Sequence, residues 1–173
     1  MAKCLMLSDA EGCLPALRPL LETRGLIAVP EPVDAELFCA REAGRGLFLL
    51  GAGEGCTRAL FLAERYPVQG LILIGRPARP RPASPLWRRV ERDLFSVVCD
   101  VLVIQPLADR AMPPRAAETV LRAVSSRRKE RLDMGQDRVD LWTNCAHLLA
   151  EAIAAFICPQ SNGKILALKA DPW

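Results

Sequence analysis

The sequence predicts an α/β protein: one domain built on a doubly wound, mostly parallel sheet of about six strands. Three observations point there. Four apolar runs (Cys4–Leu7, Leu47–Leu50, Leu71–Ile74 and Val101–Ile104) show no alternation of apolar with polar residues. Each is therefore expected to be buried on both faces, as in a sheet covered by helices. Segments of helical spacing separate these runs. Strand and helix then alternate along the chain, a pattern that right-handed crossovers satisfy.

The elements follow in order. Leu14–Thr23 carries apolar residues at helical spacing, with Pro19 expected to kink or shorten its first turns and Gly25 to stop it. Leu26–Val29 is a strand ahead of Pro30. Asp34–Ala43 is a short helix ended by Gly44 and Gly46. Cys56–Arg65 is a helix closed by Tyr66-Pro67, and Leu86–Val97 a further one. Pro114–Val124 begins at the Pro113-Pro114 pair, suited to a helix start because a missing N–H costs nothing there. A weaker strand is expected at Arg128–Asp133. The last helix, Thr143–Ile157, is expected to be capped by Thr143 or Asn144 and to turn Leu148, Ala152, Ile153 and Phe156 inward. Residues 1–158 make the domain and 159–173 a tail, whose KILALKA stretch is suited to pairing at a sheet edge or with a second copy in a homodimer. Arg76–Pro85, with proline at nearly every second position, reads as an extended polyproline-like loop.

Composition narrows the function classes. The chain is 173 residues long, 51% hydrophobic and 25% charged, with a net charge of +3. That balance is globular, and too mildly basic to argue for nucleic acid. Seven cysteines without a C-x-x-C pair are read as free thiols of a reducing, cytoplasmic compartment, with no disulfide framework and no metal site. No apolar run approaches the roughly 18 residues of a membrane span, and the N-terminus reads as neither signal peptide nor presequence. No cofactor is expected.

Function is sought beyond the C-terminal ends of the strands. There, Leu47–Leu50 runs into Gly51-Ala-Gly53-Glu-Gly55 and then a helix. This segment resembles the nucleophile elbow, G-x-S-x-G, of the α/β-hydrolase superfamily. The likeness continues through Ala63–Pro67 and Gly70–Ile74, and through Val101–Pro113, where Asp109 matches the family's acid. Leu5–Gly12 stands where the family has its oxyanion loop, and Leu20–Pro30 resembles the following helix and strand. The likeness covers roughly residues 3–157 and is greatest to small lidless serine esterases; the family's two N-terminal strands have no counterpart. It implies the strand order 2-1-3-4-5-6.

The catalytic pattern it implies is broken. Gly53 holds the nucleophile position, Gln136 (in Gly135-Gln136) the position of the histidine base, and Ser8-Asp9 replaces the His-Gly of the oxyanion loop. A triad needs a base to take the nucleophile's proton and an acid to orient the base, which Asp109 alone cannot supply. Cys56, in the first turn of its helix, and His147, the only histidine, are the candidate substitutes. Glu54 would offer the oxyanion N–H and set its carboxylate at a helix N-terminus, worth roughly 0.3–1 kcal/mol to the negative charge. A phosphate cradle is disfavoured, since the spacing is G-x-G-x-G and Glu54 would meet the phosphate. Arg76, Arg79, Arg81, Arg88, Arg89 and Arg92 are basic enough to attract an acidic ligand, but read more simply as solvated surface. Trp87 and Trp142 read as packing at helix starts. The expected function is a binding or interaction module on a hydrolase-like frame rather than an enzyme. The alternative is a small esterase or thioesterase acting through Cys56, His147 and Asp109.

Overall fold

A computed structural model describes residues 1–7, 14–75, 85–108, 116–135 and 138–159. Six strands form its sheet: Lys3–Leu7 (β1), Ile27–Pro30 (β2), Leu47–Ala52 (β3), Gly70–Ile74 (β4), Asp100–Pro106 (β5) and Lys129–Met134 (β6). Their order is β2-β1-β3-β4-β5-β6, and every neighbouring pair is parallel, as expected. β3 and β4 are buried along their whole length, which explains their unbroken apolar sequence. β6 is the opposite case. Its sequence KERLDM keeps charges on a sheet edge, with Arg128–Glu130 and Arg131–Asp133 ion pairs at 2.6 Å, and charged edge strands resist pairing with other chains.

Helices cover both faces. Arg18–Glu22 (α1), Arg138–Thr143 (α6) and Ala146–Ile157 (α7) lie on one; Ala35–Glu42 (α2), Gly55–Arg65 (α3), Pro85–Asp93 (α4) and Ala116–Ala123 (α5) lie on the other. Alternate strand residues divide accordingly. Leu50, Ile72 and Ile104 pack with Leu21, Leu149 and Ile153, whereas Leu49, Leu71 and Val103 pack with Leu60, Val90 and Val120. Each fully buried Leu or Ile contributes about 1.5–3 kcal/mol, so the two layers hold the strand ends in fixed relation.

Pro19 shortens its helix as expected, leaving a 3₁₀ turn at Leu14–Ala16 before α1, but two later helices differ from expectation. The segment 86–97 is not one helix: α4 stops at Asp93 and Leu94–Ser96 is a 3₁₀ turn, which lets Phe95 swing out to solvent while Leu94 stays buried. The last helix starts later than expected: α7 begins at Ala146 with Cys145, not Thr143 or Asn144, at its N-cap and no side-chain cap, and a separate helix that the sequence did not predict, α6, ends at Thr143. Within α7, Ile153 and Phe156 are buried as expected, together with Leu149, whereas Ala152 is only partly buried and Leu148 is 45% exposed. None of the six described cysteines is in a disulfide; Cys4, Cys39 and Cys56 are buried. Burial pushes the Cys4 thiol up to about 12, and burial followed by the charge of Glu36 pushes Cys39 up to about 11. The tail beyond residue 159, the Arg-Pro loop and the Pro113-Pro114 start lie outside the described residues.

Candidate functional site

The C-terminal ends of the strands meet along one rim: Leu7 aligns with Gly51, Ala52 with Ile74, Ile74 with Ile104 and Pro106 with Met134. At its centre β3 turns into α3 through Gly53-Glu54. The turn is tight enough to require its glycines. A Cβ on Gly51 would lie 2.8 Å from both the Cys56 Cα and the Gly55 carbonyl oxygen, closer than real contacts allow, and these are main-chain atoms with little room to yield. Gly53 has φ +56°, the left-handed region that glycine adopts with little steric cost. Its N–H donates to the Ile74 carbonyl at 3.2 Å, and its own carbonyl accepts from Cys56 N–H at 3.2 Å. The tip of this turn thus bears no side-chain atom. The next residue, Glu54, is exposed at the start of α3 without a side-chain cap.

Cys56 is fully buried. Its thiol donates toward the carbonyls of Gly51 (3.3 Å) and Ile74 (3.4 Å), inside the layer that holds Leu49, Ala59 and Leu60. His147 is exposed, the second residue of α7, and its carbonyl accepts from Arg24 at 3.5 Å. The buried side of α7 belongs to the other layer. The sheet therefore stands between Cys56 and His147, and the dyad that the sequence allowed is not assembled. Asp109, Gln136, Ser8 and Asp9 lie outside the described residues, although β5, β6 and β1, which lead toward them, all end on this rim. Among the described residues no three His, Cys, Asp or Glu side chains gather where they could hold a metal.

Beside the turn lies a cleft of about 290 Å³ that sequence reasoning missed. Leu7, Val33, Phe61 and Leu86 give it apolar walls, and Arg58 pairs with Glu31 across it. Asp34, also on the cleft, caps α2 by accepting from Leu37 N–H at 2.8 Å. The one available signal was Val33, a fully exposed apolar residue between a proline and a helix cap. Of the basic set, Arg88, Arg89 and Arg92 are exposed on α4, with Arg89 stacked 5.0 Å from the centre of the Phe61 ring; Arg76, Arg79 and Arg81 lie outside the described residues. Trp87 is buried near the start of α4, as expected, and Trp142 is buried too but in the last turn of α6 rather than at a helix start.

Comparison with known proteins bears on this frame. No protein-family model matches the sequence, and no curated protein matches it. Solved structures do match. A metagenome-derived lipolytic enzyme from work on LipS and LipT superposes with TM-score 0.70 at 16% identity, covering 91% of this chain and 94% of that one. An esterase domain from Rhodothermus marinus gives 0.72 at 17% identity over 90% and 85%. Est1E from Butyrivibrio proteoclasticus, with ferulic acid bound, gives 0.70 at 13% over 93% and 90%. The fold is thus that of the α/β-hydrolases, and the resemblance read from the sequence holds at that level. No helix among the described residues is long and apolar enough to cross a membrane.

Proposed function

We propose that this chain uses an α/β-hydrolase fold as a binding or interaction module and has lost serine-hydrolase chemistry. The observation that carries the reading is Gly53. The β3–α3 turn keeps the tightness that would aim a nucleophile at the rim, but at φ +56° its tip has no atom beyond Cα to attack a carbonyl. An acyl-transfer site needs a nucleophile within hydrogen-bond reach of a base, and the base held by an acid. Cys56 has its sulfur enclosed, and His147 faces solvent across the sheet. Asp109 would then be the remnant of the triad, with Gln136 at the place of the base. Ser8, Asp9 and Glu54 would line a ligand at the rim, with no cofactor. Pairing of the tail with a second copy would make a homodimer.

One observation favours a second reading, a small esterase or thioesterase with a non-standard nucleophile or base. The structural neighbours are esterases and lipases, and they match this chain over about nine-tenths of its length. That reading requires Cys56 to leave two main-chain carbonyls and reach solvent. The test is purified protein against p-nitrophenyl esters, acyl thioesters and a fluorophosphonate probe. No turnover and no labelling are expected. Saturable turnover that disappears in Cys56→Ala or His147→Ala would establish the second reading in place of the first.

A further inference from the structure

The outer side of α3 carries a charged group that nothing in the site explains. Glu64, in its last turn, is half-buried, and its Oε1 is sealed from solvent with no hydrogen-bond partner among the described residues. Two guanidinium groups stand near it, Arg65 of its own helix and Arg89 of α4, but both are drawn to the Phe61 ring. Their Cζ atoms lie 4.6 and 5.0 Å from its centre, and Arg65 also pairs with Glu36 of α2 at 3.1 Å. From α4 the other charge that acts on Glu64 is that of Asp93, an exposed carboxylate at the end of the helix. The Leu94–Ser96 turn, which also packs on α3, brings no charge. α4 in turn supplies Leu86 to the cleft that α3 lines with Arg58, Phe61 and Leu62.

We propose that Glu64 is a proton-operated latch on the α3–α4 seam, and that its ionisation releases α4, one wall of the cleft. Protonated, the carboxyl sits in the seam as a neutral group beside Asp93. On ionisation its proton passes to solvent, and two carboxylates then oppose each other where the nearby guanidinium groups are stacked on Phe61. Burial first, and then the charge of Asp93, push Glu64 up to about 7 against the partial counter-pull of Arg89 and Arg65, so the latch works near neutrality. The sign follows from linkage. The unfolded carboxyl ionises at its ordinary value near 4.5 while the folded one still holds its proton, so stability falls as pH rises from there to about 7 and is level above.

Thermal melts from pH 5 to 8.5, with amide hydrogen exchange of Leu86–Asp93 corrected for intrinsic rate, test this on the whole chain. In the parent, stability should decline toward pH 7 and the α4 amides should lose protection around that pH. Glu64→Gln should remove both effects and keep α4 protected throughout. Asp93→Asn should move the midpoint down. An identical profile in Glu64→Gln, or α4 protection that ignores pH, would overturn the proposal. Should Glu64→Gln fail to fold, ¹³C carboxyl titration of the parent set beside its α4 exchange decides instead: a Glu64 midpoint in the ordinary carboxylate range, or one near 7 with α4 protection unmoved across it, overturns the latch, and loss of protection that tracks a midpoint near 7 upholds it.

Discussion

At its N-terminal end α3 meets the sheet through main-chain atoms. Gly51 stands against the Cys56 Cα and the Gly55 carbonyl, Gly53 is hydrogen-bonded to Ile74, and Cys56 donates to two carbonyls. At its C-terminal end the same helix meets α2 and α4 through side-chain tips: Phe61 between two guanidinium groups, Arg65 and Tyr66 on Glu36, Glu64 beside Asp93. The first contact is steric and insensitive to pH or salt. The second is electrostatic and sensitive to both. On the proposed loss of the nucleophile, the steric end is kept because the packing of β3 on α3 depends on it whether or not chemistry follows. The electrostatic end is free to acquire other roles.

The largest effect expected is at the steric end. Gly51→Ala places a Cβ 2.8 Å from main-chain atoms, so strand and helix must separate. Overpacking of this kind costs typically 1–3 kcal/mol and here, against backbone, about 3 kcal/mol, roughly 6–12 °C of Tm for a chain of this size. A thermal melt within a degree or two of the parent would show that the turn is not rigid and would break the contrast.

Next comes Gly53→Ser. A residue with a Cβ at φ +56° costs about 1–2 kcal/mol, so the variant should melt lower than the parent and, on the proposed loss of chemistry, hydrolyse no ester. If Gln136 marks the place of the base, adding Gln136→His should restore more turnover than Gly53→Ser alone. A Gly53→Ser protein as stable as the parent and already active would overturn both the strain and the assignment of the base.

How much of this was legible beforehand differs between the two ends for the same physical reason. The strand order and the glycine turn were readable because both are imprinted in local sequence: unbroken apolar runs mark strands buried on both faces, and glycine is the residue that a left-handed turn selects. The start of α7 at Ala146 was not, since Thr143 and Asn144 both offer a cap and Asn144-Cys145 contains neither Gly nor Pro; α6 went unpredicted, and Leu148 was placed inward. Nothing in the local sequence singles out Glu64. The second carboxylate whose charge acts on it, Asp93, is not in its own helix: α4 begins some twenty residues further along the chain, and no local pattern reports it. The cleft was hidden likewise, being assembled from β1, α3, α4 and the segment leading into α2. Pairing of Cys56 with His147 was open in sequence terms because spacing does not say which face of the sheet a helix covers.

At the electrostatic end Phe61→Leu sharpens the comparison. It removes two cation–π contacts of about 0.5–1 kcal/mol each at exposed sites while keeping an apolar residue at the cleft. The loss should therefore be about 1–2 kcal/mol, smaller than at Gly51. It should also free Arg65 and Arg89 to turn toward Glu64, so the Glu64 midpoint, followed by ¹³C carboxyl shifts, should fall below that of the parent. An unchanged midpoint would mean that the Phe61 ring does not hold the guanidinium groups away.

The smallest effect is also the cleanest to read. Tyr66 is the only tyrosine in the chain, so its ionisation can be followed by tyrosinate absorbance without interference from another phenol. Its hydroxyl donates to Glu36 Oε2 at 3.3 Å, and partial burial first, then the negative charge of Glu36 and this hydrogen bond, hold the phenol above its ordinary range. Ionising Tyr66 would set two anions side by side, with Arg65 offsetting only part of the repulsion. Glu36→Gln removes the charge and keeps an acceptor, so the midpoint should move down toward the ordinary tyrosine value while remaining above it, because burial is unchanged. Because a folded phenol that resists ionisation weakens the folded state at high pH, Glu36→Gln should also reduce the loss of stability above about pH 10. High salt should shrink the difference between parent and variant, since Glu36 is half-exposed. The corresponding measurement at the steric end, the melting difference between the parent and Gly51→Ala, should not respond to salt at all. A midpoint that Glu36→Gln leaves in place would mean that burial alone raises Tyr66, and would remove α2 from the charged network that distinguishes this end of α3.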